Sequence, residues 1–382
     1  MKKIAVFTGS RADYSLLKPL ILLLKEDKQI DFKLIVSGSH LSKKLGNTWK
    51  EIKKDGFDID FKVRTLSNSD SPSGILVSMG NGLKKMALVL EEYRPDLLIV
   101  LGDRYEAMIA SQAAMINKIP IGHIHGGEST FGLIDEAIRH SITKMSHLHF
   151  AATETYKKRI IQLGEDPKKV WNVGAPGYDN IEQTIFYDKE NLEKNLKIEI
   201  NFPLFLVTFH PVTLRDKDTR TFNYLINELI KKNGTIVITG ANADTHGSKI
   251  MNMSKKFEKQ NKNKVFLFDS LGSSLYLSLM KISSLVAGNS SSGIIEAPYL
   301  GIPSLDIGDR QKGRIISPSV IHSKDNLKDI KKNLTKSLSE SHKTISDKKV
   351  SIYGKHGASK RIYQIIKNHK FNNLLIKDFH DN

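Results

Sequence analysis

The chain has 382 residues, 40% hydrophobic and 26% charged, and no cysteine, which predicts a folded protein of two domains and excludes disulfides, thiolate catalysis and cysteine-ligated metal centres. Its formal net charge is +17, but the lysines are scattered along helical segments and no nucleic-acid motif is present, so we expect an anionic small substrate and no nucleic-acid partner. The apolar runs are too short for a secretory signal or a membrane span, so we expect a soluble cytoplasmic protein without a membrane partner.

The first half of the chain alternates short apolar strands with helices. The predicted strands are IAVFTG, FKLIVSG, RPDLLIVLGD, IPIGHIHGG and HLHFAAT, and the predicted helices cover residues 16–25, 107–117 and 134–144. Continuous apolar strands separated by helices indicate a parallel sheet that is covered on both faces. We therefore predict an α/β domain over residues 1–175.

A turn-rich and then charged stretch near residues 174–203 interrupts this pattern and marks the expected domain boundary. The alternation then resumes with the strands PLFLVTFHP, GTIVITG, KVFLFD, SSLVAGNS and GIPSLDIG. We predict a second domain over residues 200–350, followed by a helix and tail over residues 351–382. The expected fold class is α/β, with two Rossmann-like domains facing across a cleft, and ligands of such sheets bind beyond the carboxyl ends of the strands.

The clearest strand-end motif is NSSSGIIEAP, at residues 289–298. Gly293 lets the backbone approach a ligand, and Ser290 and Ser291 precede a predicted helix N-terminus, where backbone N–H groups attract phosphate. Glu296, expected one turn into that helix, could accept hydrogen bonds from ribose hydroxyls. N-capping explains only one of the three serines, so we favour a phosphate site. The motif is neither a P-loop nor GxGxxG, which leaves a nicotinamide cofactor without support.

Other strand-end residues could contribute to phosphate binding. Arg11 and Arg310 are each predicted in a glycine-bearing loop, one per domain, and two arginines could clamp a diphosphate. Either arginine alone could equally form a surface ion pair. His210 is held at a strand end by the following proline and could bind a leaving phosphate or a sugar hydroxyl. Asn242 lies in another such loop.

The segment HIHGGE, at residues 123–128, has two interpretations. Strand alternation would place His123 and His125 on one face, and with Asp103 and Glu128 they could form a metal site. A lone His-x-His is a weak signal, because buried histidines are more often simply hydrogen-bonded. We therefore favour acid–base chemistry, with the two glycines letting the chain turn so that Glu128 re-enters the cleft.

Three further carboxylates are candidates for proton transfer. Asp103 follows the strand LIVLG and could act as an acid or base if it is partly desolvated. Asp135 and Glu136 directly precede the segment AIRH. All three could instead cap or start a helix, where acidic residues are favoured, so residue type alone does not decide their role.

Seven motifs occur in order between residues 9 and 314: GSRADYSLL, LGDRYEA, IPIGHIHGGE, DEAIRHSITKMSHLHF, FHP, NSSSGIIEAP and IGDRQKGR. Together they resemble the hydrolysing UDP-N-acetylglucosamine 2-epimerases of bacterial sialic acid biosynthesis. The resemblance implies the GT-B fold, a UDP-sugar substrate, and neither a metal nor a redox cofactor. It also implies that UDP leaves C1 while C2 loses a proton, and that water then adds to the 2-acetamidoglucal to give N-acetylmannosamine. We expect a homo-oligomer, either a dimer or a tetramer.

The resemblance also implies roles for individual residues. Asp103 and Asp135 match acid–base positions of the family, with Glu136 beside them. The matches to UDP-binding positions are Arg11, His210, Asn242, Ser290, Ser291, Glu296 and Arg310, with Gly293 in the same loop as the two serines. Many relatives read HIEGGE, with the first glutamate assigned to catalysis, whereas this chain has His125, as some bacterial members do. Either His125 or Glu128 is therefore expected to carry that proton transfer.

Four alternatives remain open at the level of sequence. The same chemistry could act on UDP-2,4-diacetamido-2,4,6-trideoxyglucose, on the way to legionaminic acid. A non-hydrolysing epimerase would keep UDP attached, although the GDR, GGE and IRH motifs favour the hydrolysing type. The remaining two are a metal-dependent hydrolase and a basic nucleic-acid-binding protein.

Overall fold

The computed structural model describes residues 1–43, 46–67, 69, 71–131, 133–211, 218–240 and 247–381. The chain forms two compact units, and each is interrupted along the sequence. The first unit consists of Met1–Glu128, Ile134–Glu182 and Tyr353–Asn382, and the second consists of Ser129–Leu133 and Gln183–Ile352. Within the described ranges, no helix has both the length and the apolar character that crossing a bilayer requires.

Strands and helices alternate along most of the chain. The strands are β1 (Lys2–Thr8), β2 (Ile30–Ser37), β3 (Phe61–Val63), β4 (Leu97–Leu101), β5 (Ile121–Ile124), β6 (Leu148–Ala151), β7 (Val170–Asn172), β8 (Leu204–Thr208), β9 (Thr235–Thr239), β10 (Val265–Phe268), β11 (Leu285–Gly288), β12 (Ser304–Ile307) and β13 (Val320–Ser323). The helices are α1 (Arg11–Glu26), α2 (Trp49–Lys54), α3 (Pro72–Tyr93), α4 (Tyr105–Ile116), α5 (Asp135–Met145), α6 (Glu154–Gln162), α7 (Gly177–Gln183), α8 (Lys189–Leu196), α9 (Asp218–Ile230), α10 (Gly247–Gln260), α11 (Gly272–Ile282), α12 (Glu296–Leu300), α13 (Leu327–Ser337), α14 (Glu340–Asp347) and α15 (Ala358–Asn368).

The first unit is built on a parallel sheet with the strand order β3-β2-β1-β4-β5-β6-β7. All five residues of β4, LLIVL, are buried, as expected for a strand covered on both faces. The loop after β1 enters α1 through a capping box: the Ser10 hydroxyl accepts the Asp13 N–H, while the Asp13 carboxylate accepts the Ser10 N–H at 3.0 Å. The carboxyl ends of all these strands lie at one edge of the sheet.

The C-terminal segment completes the first unit. Helix α15 packs against α1, and its residues Ile362 and Ile366 are fully buried in the core beneath that helix. The Lys2 ammonium donates to three carbonyls at the end of α15, those of Ile366, Lys367 and His369. The sequence predicted residues 351–382 as a separate helix and tail, whereas contacts group Tyr353–Asn382 with the first unit.

The second unit repeats the architecture with the strand order β10-β9-β8-β11-β12-β13, again parallel. β8 and β11 are central, and every residue of both is buried. One apolar layer, around Phe205, Phe222 and Ile236, covers one face of the sheet, and another, around Leu206, Val237 and Leu279, covers the other. Two doubly wound parallel sheets confirm the predicted α/β class with two Rossmann-like domains.

Several elements differ from the sequence prediction. Helix α3 was not predicted, because it follows a serine-rich stretch and contains three glycines, which lower helix propensity. Its start signal is nevertheless present, since Ser71 caps the helix and Pro72 occupies the first turn. The short edge strands β3, β7 and β13 were also missed, and the turn-rich GAPGYDN contains the start of α7.

Candidate active site

Acidic groups from three segments of the first unit gather around one buried arginine. Arg139, on α5, has 1% of its surface exposed. Its Nη1 donates to the Glu128 carbonyl at 3.0 Å and to Glu136 Oε2 at 2.7 Å, and its Nη2 forms an ion pair with Asp103 Oδ2. The planar guanidinium has enough donors in a fixed fork to hold two carboxylates at once. Arg139 therefore fixes the candidates Asp103, Glu128 and Glu136 relative to each other, a role that the sequence did not reveal.

His125 lies just beyond β5 and is paired with Glu128. Its backbone is left-handed, with φ of 64°, and its N–H donates to the Phe150 carbonyl at 3.1 Å. The imidazole Nδ1 lies 2.5 Å from Glu128 Oε1. The prediction that His123 and His125 share one face of a strand is wrong, because β5 ends at Ile124 and the positive φ turns His125 out of the alternation.

The contacts of His123 indicate a structural role. It is fully buried on β5, where Nε2 donates to the Gly102 carbonyl at 2.7 Å and Nδ1 lies 3.2 Å from Thr143 Oγ1. Burial lowers its pKa to about 3, so the ring is neutral near pH 7. Both ring nitrogens are engaged, and His123 braces the loop before Asp103 against α5. In the part of the chain that the structure describes, no three His, Cys, Asp or Glu side chains are grouped to hold a metal ion.

Two other predicted residues of the first unit are placed at helix starts. Arg11 is the first residue of α1, so its prediction as a loop residue is wrong, although it does follow the β1 strand end directly. Asp135 is the first residue of α5, immediately before Glu136. Both side chains are half-buried. The start of α5 therefore brings Asp135 to the same edge as the Arg139 cluster.

The second unit presents hydroxyl groups at its strand ends. Residues Ser291–Gly293 form a 3₁₀ turn after β11, and the Ser290 hydroxyl accepts the Ser292 N–H at 3.4 Å. Tyr276 Oη lies 2.5 Å from Ser292 Oγ, which donates to Ser290 Oγ at 3.1 Å. A Cβ at Gly293 would lie only 2.8 Å from Ser304 Oγ, so the turn needs glycine there to stay close to the sheet.

Glu296 is the first residue of the short helix α12, not one turn inside a helix as predicted, because the 3₁₀ turn separates the serines from the α-helix. It is half-buried. Its position one short turn beyond the serine hydroxyls keeps it next to the proposed phosphate loop.

Asn289 joins three strand ends of the second unit. Its side chain pairs reciprocally with the His210 backbone: Oδ1 accepts the His210 N–H at 2.7 Å, and Nδ2 donates to the His210 carbonyl at 2.8 Å. The Asn289 carbonyl accepts from Arg310 Nη1 at 3.1 Å and from Gln311 Nε2 at 2.8 Å. The loops after β8, β11 and β12 are thereby locked together, and neither Asn289 nor Gln311 was singled out from the sequence.

The structure thus places the predicted residues in two groups. In the first unit, Asp103, His125, Glu128, Asp135 and Glu136 lie at the start of α5 or on the loops after β4 and β5, and in the second unit, His210, Ser290, Ser291, Gly293, Glu296 and Arg310 lie on the loops after β8, β11 and β12. Asn242 lies outside the described residues. The first group offers ionisable groups for proton transfer, and the second offers hydroxyl, amide and cationic donors for an anion.

Comparison with known proteins identifies the family of this chain. The family model described as UDP-N-acetylglucosamine 2-epimerase matches residues 23–367. The chain is 41% identical over 327 residues to the GDP/UDP-N,N'-diacetylbacillosamine 2-epimerase (hydrolyzing) of Campylobacter jejuni, covering 85% of each chain. It is 39% identical over 388 residues to the polysialic acid biosynthesis protein P7 of Escherichia coli, covering 100% of this chain and 98% of that protein.

Among solved structures, the UDP-GlcNAc 2-epimerase of Neisseria meningitidis bound to UDP-GlcNAc superposes with a TM-score of 0.81 at 22% identity, covering 97% of this chain and 100% of that one. This likeness shows the fold, two parallel-sheet α/β domains of the GT-B type. The family match spans most of the chain and includes all the motifs from LGDRYEA to IGDRQKGR. The chain therefore belongs to the UDP-N-acetylglucosamine 2-epimerase family.

Proposed function

We propose that the protein is a hydrolysing UDP-sugar 2-epimerase that converts UDP-N-acetylglucosamine and water into N-acetylmannosamine and UDP. The observation that carries the proposal is the cluster around Arg139, which holds Asp103 and Glu136 by their carboxylates and Glu128 by its carbonyl. Inverting C2 requires a proton to leave one face of the sugar and to return on the other, so more than one acid–base group is needed. This cluster supplies several at one sheet edge.

The reaction balances without an oxidant or reductant. A base removes the C2 proton, the C–H electron pair forms the C1=C2 bond, and the C1–O bond breaks with its electrons going to the β-phosphate oxygen of UDP. Water then adds to the 2-acetamidoglucal, with hydroxide at C1 and a proton at C2. We assign these proton transfers to Asp103, Asp135, Glu136 and the pair of His125 and Glu128.

We assign nucleotide binding to the second unit. His210, Ser290 and Arg310 offer N–H, O–H and guanidinium donors on adjacent loops, which would stabilise the negative charge that develops on the departing diphosphate. Ser291 and the tight turn at Gly293 would add backbone N–H groups, and Glu296 would accept from the ribose hydroxyls. Arg11, and Asn242 by its motif, complete the proposed UDP-binding set.

A second candidate substrate is UDP-2,4-diacetamido-2,4,6-trideoxyglucose, the UDP derivative of N,N'-diacetylbacillosamine. The observation that favours it is the 41% identity to the Campylobacter jejuni protein named for that sugar. The name of the Escherichia coli relative instead points to polysialic acid and so to N-acetylmannosamine. The two sugars share C1 and C2 and differ at C4 and C6, so the chemistry at C2 would be the same for both.

The test is incubation of the purified protein with each UDP-sugar in D₂O, with the products followed by NMR. The proposal expects UDP and free N-acetylmannosamine carrying deuterium at C2. Turnover of the trideoxy sugar alone would change the substrate and keep the mechanism. Release of UDP-N-acetylmannosamine would indicate a non-hydrolysing epimerase, and loss of turnover on full chelation with EDTA would indicate a metal-dependent enzyme. Turnover of neither sugar would overturn the proposal.

A further inference from the structure

His125 and Glu128 form a histidine–carboxylate pair whose two members are not equivalent. The imidazole Nδ1 faces Glu128 Oε1 at 2.5 Å. With Glu128 in its ionised form, the carboxylate can only accept, which places the shared proton on Nδ1. In the neutral ring the other nitrogen, Nε2, then carries a lone pair and can act as a base. If Nε2 takes up a proton, the resulting imidazolium lies next to the Glu128 carboxylate, which stabilises it, as in the orienting role of the acid in catalytic triads.

The backbone holds this pair in an unusual position. A left-handed conformation is uncommon for a residue other than glycine, and such residues cluster at functional sites. The turn behind it is fixed, because a Cβ at Gly127 would lie 2.4 Å from the Tyr156 carbonyl and Arg159 Nη1 donates to the Gly127 carbonyl at 2.6 Å. His125 therefore cannot relax into the strand without breaking the packing of the loop.

The side chains of His125 and Glu128 differ in their solvent exposure. The imidazole of His125 keeps 9% of its surface accessible, whereas the carboxylate of Glu128 keeps 1%. Two charged side chains contact the backbone of this loop: Arg139 from α5 binds the Glu128 carbonyl, and Arg159 from α6 binds the Gly127 carbonyl. A base must reach its substrate, so of the two side chains His125 is the one placed to do so.

A second pair in the first unit, His149 and Glu165, shows what a purely structural arrangement looks like. Glu165 binds His149 at 2.8 Å and also accepts from Lys144 at 2.7 Å and from Lys377 at 2.6 Å. Burial raises the pKa of Glu165, but these hydrogen bonds outweigh it and hold the pKa at about 2. Both members are almost fully buried, and Glu165 joins the C-terminal tail to α5.

We propose that Nε2 of His125 is the base that removes the C2 proton, and that Glu128 is a positioning residue that fixes the reactive tautomer. This inference rests on the proposed function and deepens it. The proton moves from C2 to Nε2 while the C–H electrons form the C1=C2 bond and the C1–O pair leaves with UDP. In the hydration step a different acid delivers a proton to the opposite face of C2, and His125 returns to its neutral form by releasing its proton to solvent.

The experiment compares the full-length wild type with His125→Gln, His125→Glu and Glu128→Gln, measuring kcat, KM, UDP affinity and deuterium incorporation at C2. We expect His125→Gln to lower kcat by about 10²- to 10⁴-fold with little change in KM, because a general base is lost. His125→Glu should restore part of kcat and move the acid limb of the pH–rate profile to lower pH, because carboxyl groups titrate below imidazoles. Glu128→Gln should lower kcat by about 10-fold or more at unchanged UDP affinity. The introduced amide can donate to Nδ1 of His125, which places the ring proton on Nε2 and removes the lone pair needed for catalysis.

His356→Gln, which changes an exposed histidine of the first unit, is the matched control and should behave as wild type. If His125→Gln does not fold, His125→Asn and His125→Glu, checked by circular dichroism and UDP binding, take its place. A His125→Gln enzyme close to wild-type kcat beside an inactive Glu128→Gln would overturn the inference and leave the proposed function intact. Accumulation of the 2-acetamidoglucal by His125→Gln would also overturn it, because the elimination would then not need His125. A wild type without turnover would overturn both.

Discussion

The two units share one architecture but carry opposite chemistry at the carboxyl ends of their strands. In the first unit the strand ends bear carboxylates and a histidine, and a charged side chain, Arg139, holds them together. In the second unit they bear hydroxyls and amides, and a neutral side chain, Asn289, holds them together through backbone groups. Under the proposed function, a few loop residues specialise the same sheet edge for proton transfer in one unit and for anion binding in the other.

Because different residues hold the two sets of strand ends together, substitutions in the two units should impair different properties of the enzyme. Losing an acid–base group of the first unit should lower kcat while UDP affinity persists, and losing one of the proposed UDP-binding groups of the second unit should lower UDP affinity first. A variant that breaks this division would show that the two edges are not specialised as proposed.

The largest effect is expected from Asp103→Asn, which removes a titratable group and keeps the size of the side chain. We expect kcat to fall by about 10²- to 10⁴-fold, the usual contribution of a general acid or base, while UDP affinity measured by calorimetry stays close to wild type. Asp58→Asn, on an exposed acid of the same unit, is the control. A fully active Asp103→Asn would remove Asp103 from the mechanism.

Arg139→Lys should have the next largest effect. Lysine keeps the positive charge but lacks the planar fork, so it cannot hold Asp103 and Glu136 together. We expect kcat to fall by about 10- to 100-fold, since small displacements of catalytic groups cost up to this much, and we expect a lower melting temperature with unchanged UDP affinity. A Lys variant with wild-type kcat would show that the carboxylates do not depend on Arg139 for their position.

Asn289→Ala tests the second unit. The change leaves the His210 N–H and carbonyl without their partners, and each unsatisfied buried group costs about 1–3 kcal/mol. We expect UDP to bind about 10-fold more weakly or worse, with a smaller change in kcat at saturating substrate. Gln311→Ala removes a single hydrogen bond to the same residue and should weaken UDP binding less. Equal effects of the two variants on UDP affinity would argue against Asn289 as the link between the loops.

The smallest effect is a loss of stability at low pH, which we expect to be larger in the first unit. Burial lowers the pKa of His123 to about 3 and that of His40 to about 4, from an ordinary value of 6.5. The unfolded chain therefore binds these protons at a higher pH than the folded chain, so stability is lost as pH falls below 6.5. Each histidine should contribute at most about 1.4 kcal/mol per pH unit in this range.

Hydrogen exchange at pH 7 and pH 5 would measure this effect segment by segment. Amides of β1, β2 and β5 should lose protection at the lower pH, whereas those of β8 and β11 should change less. His322, on β13, has its pKa raised by the hydrogen bond to Asp306, so it loses stabilising interaction as pH rises and not as it falls. Equal loss of amide protection in both units at pH 5 would contradict the expectation that low pH destabilises the first unit more than the second.

The sequence predicted most strands because each is a continuous apolar run, and burial on both faces requires such runs. It also predicted which polar residues follow directly on strands, because the position of a polar residue after an apolar run is a local property. The roles of Arg139 and Asn289 could not be predicted, since their partners Asp103 and His210 lie 36 and 79 residues away along the chain. The sequence prediction for His125 was wrong for a local reason. A positive φ at a non-glycine residue cannot be recognised from the pattern of apolar residues.

The contribution of α15 to the first unit has a consequence for how the protein is made. A ribosome reaches residue 353 only after it has synthesised all of the second unit, so the first unit lacks its closing helix throughout that time. Until then α1 lacks the helix that packs against it, and Lys2 lacks the three carbonyls to which its ammonium donates. All of the second unit is therefore synthesised before the first unit can be complete.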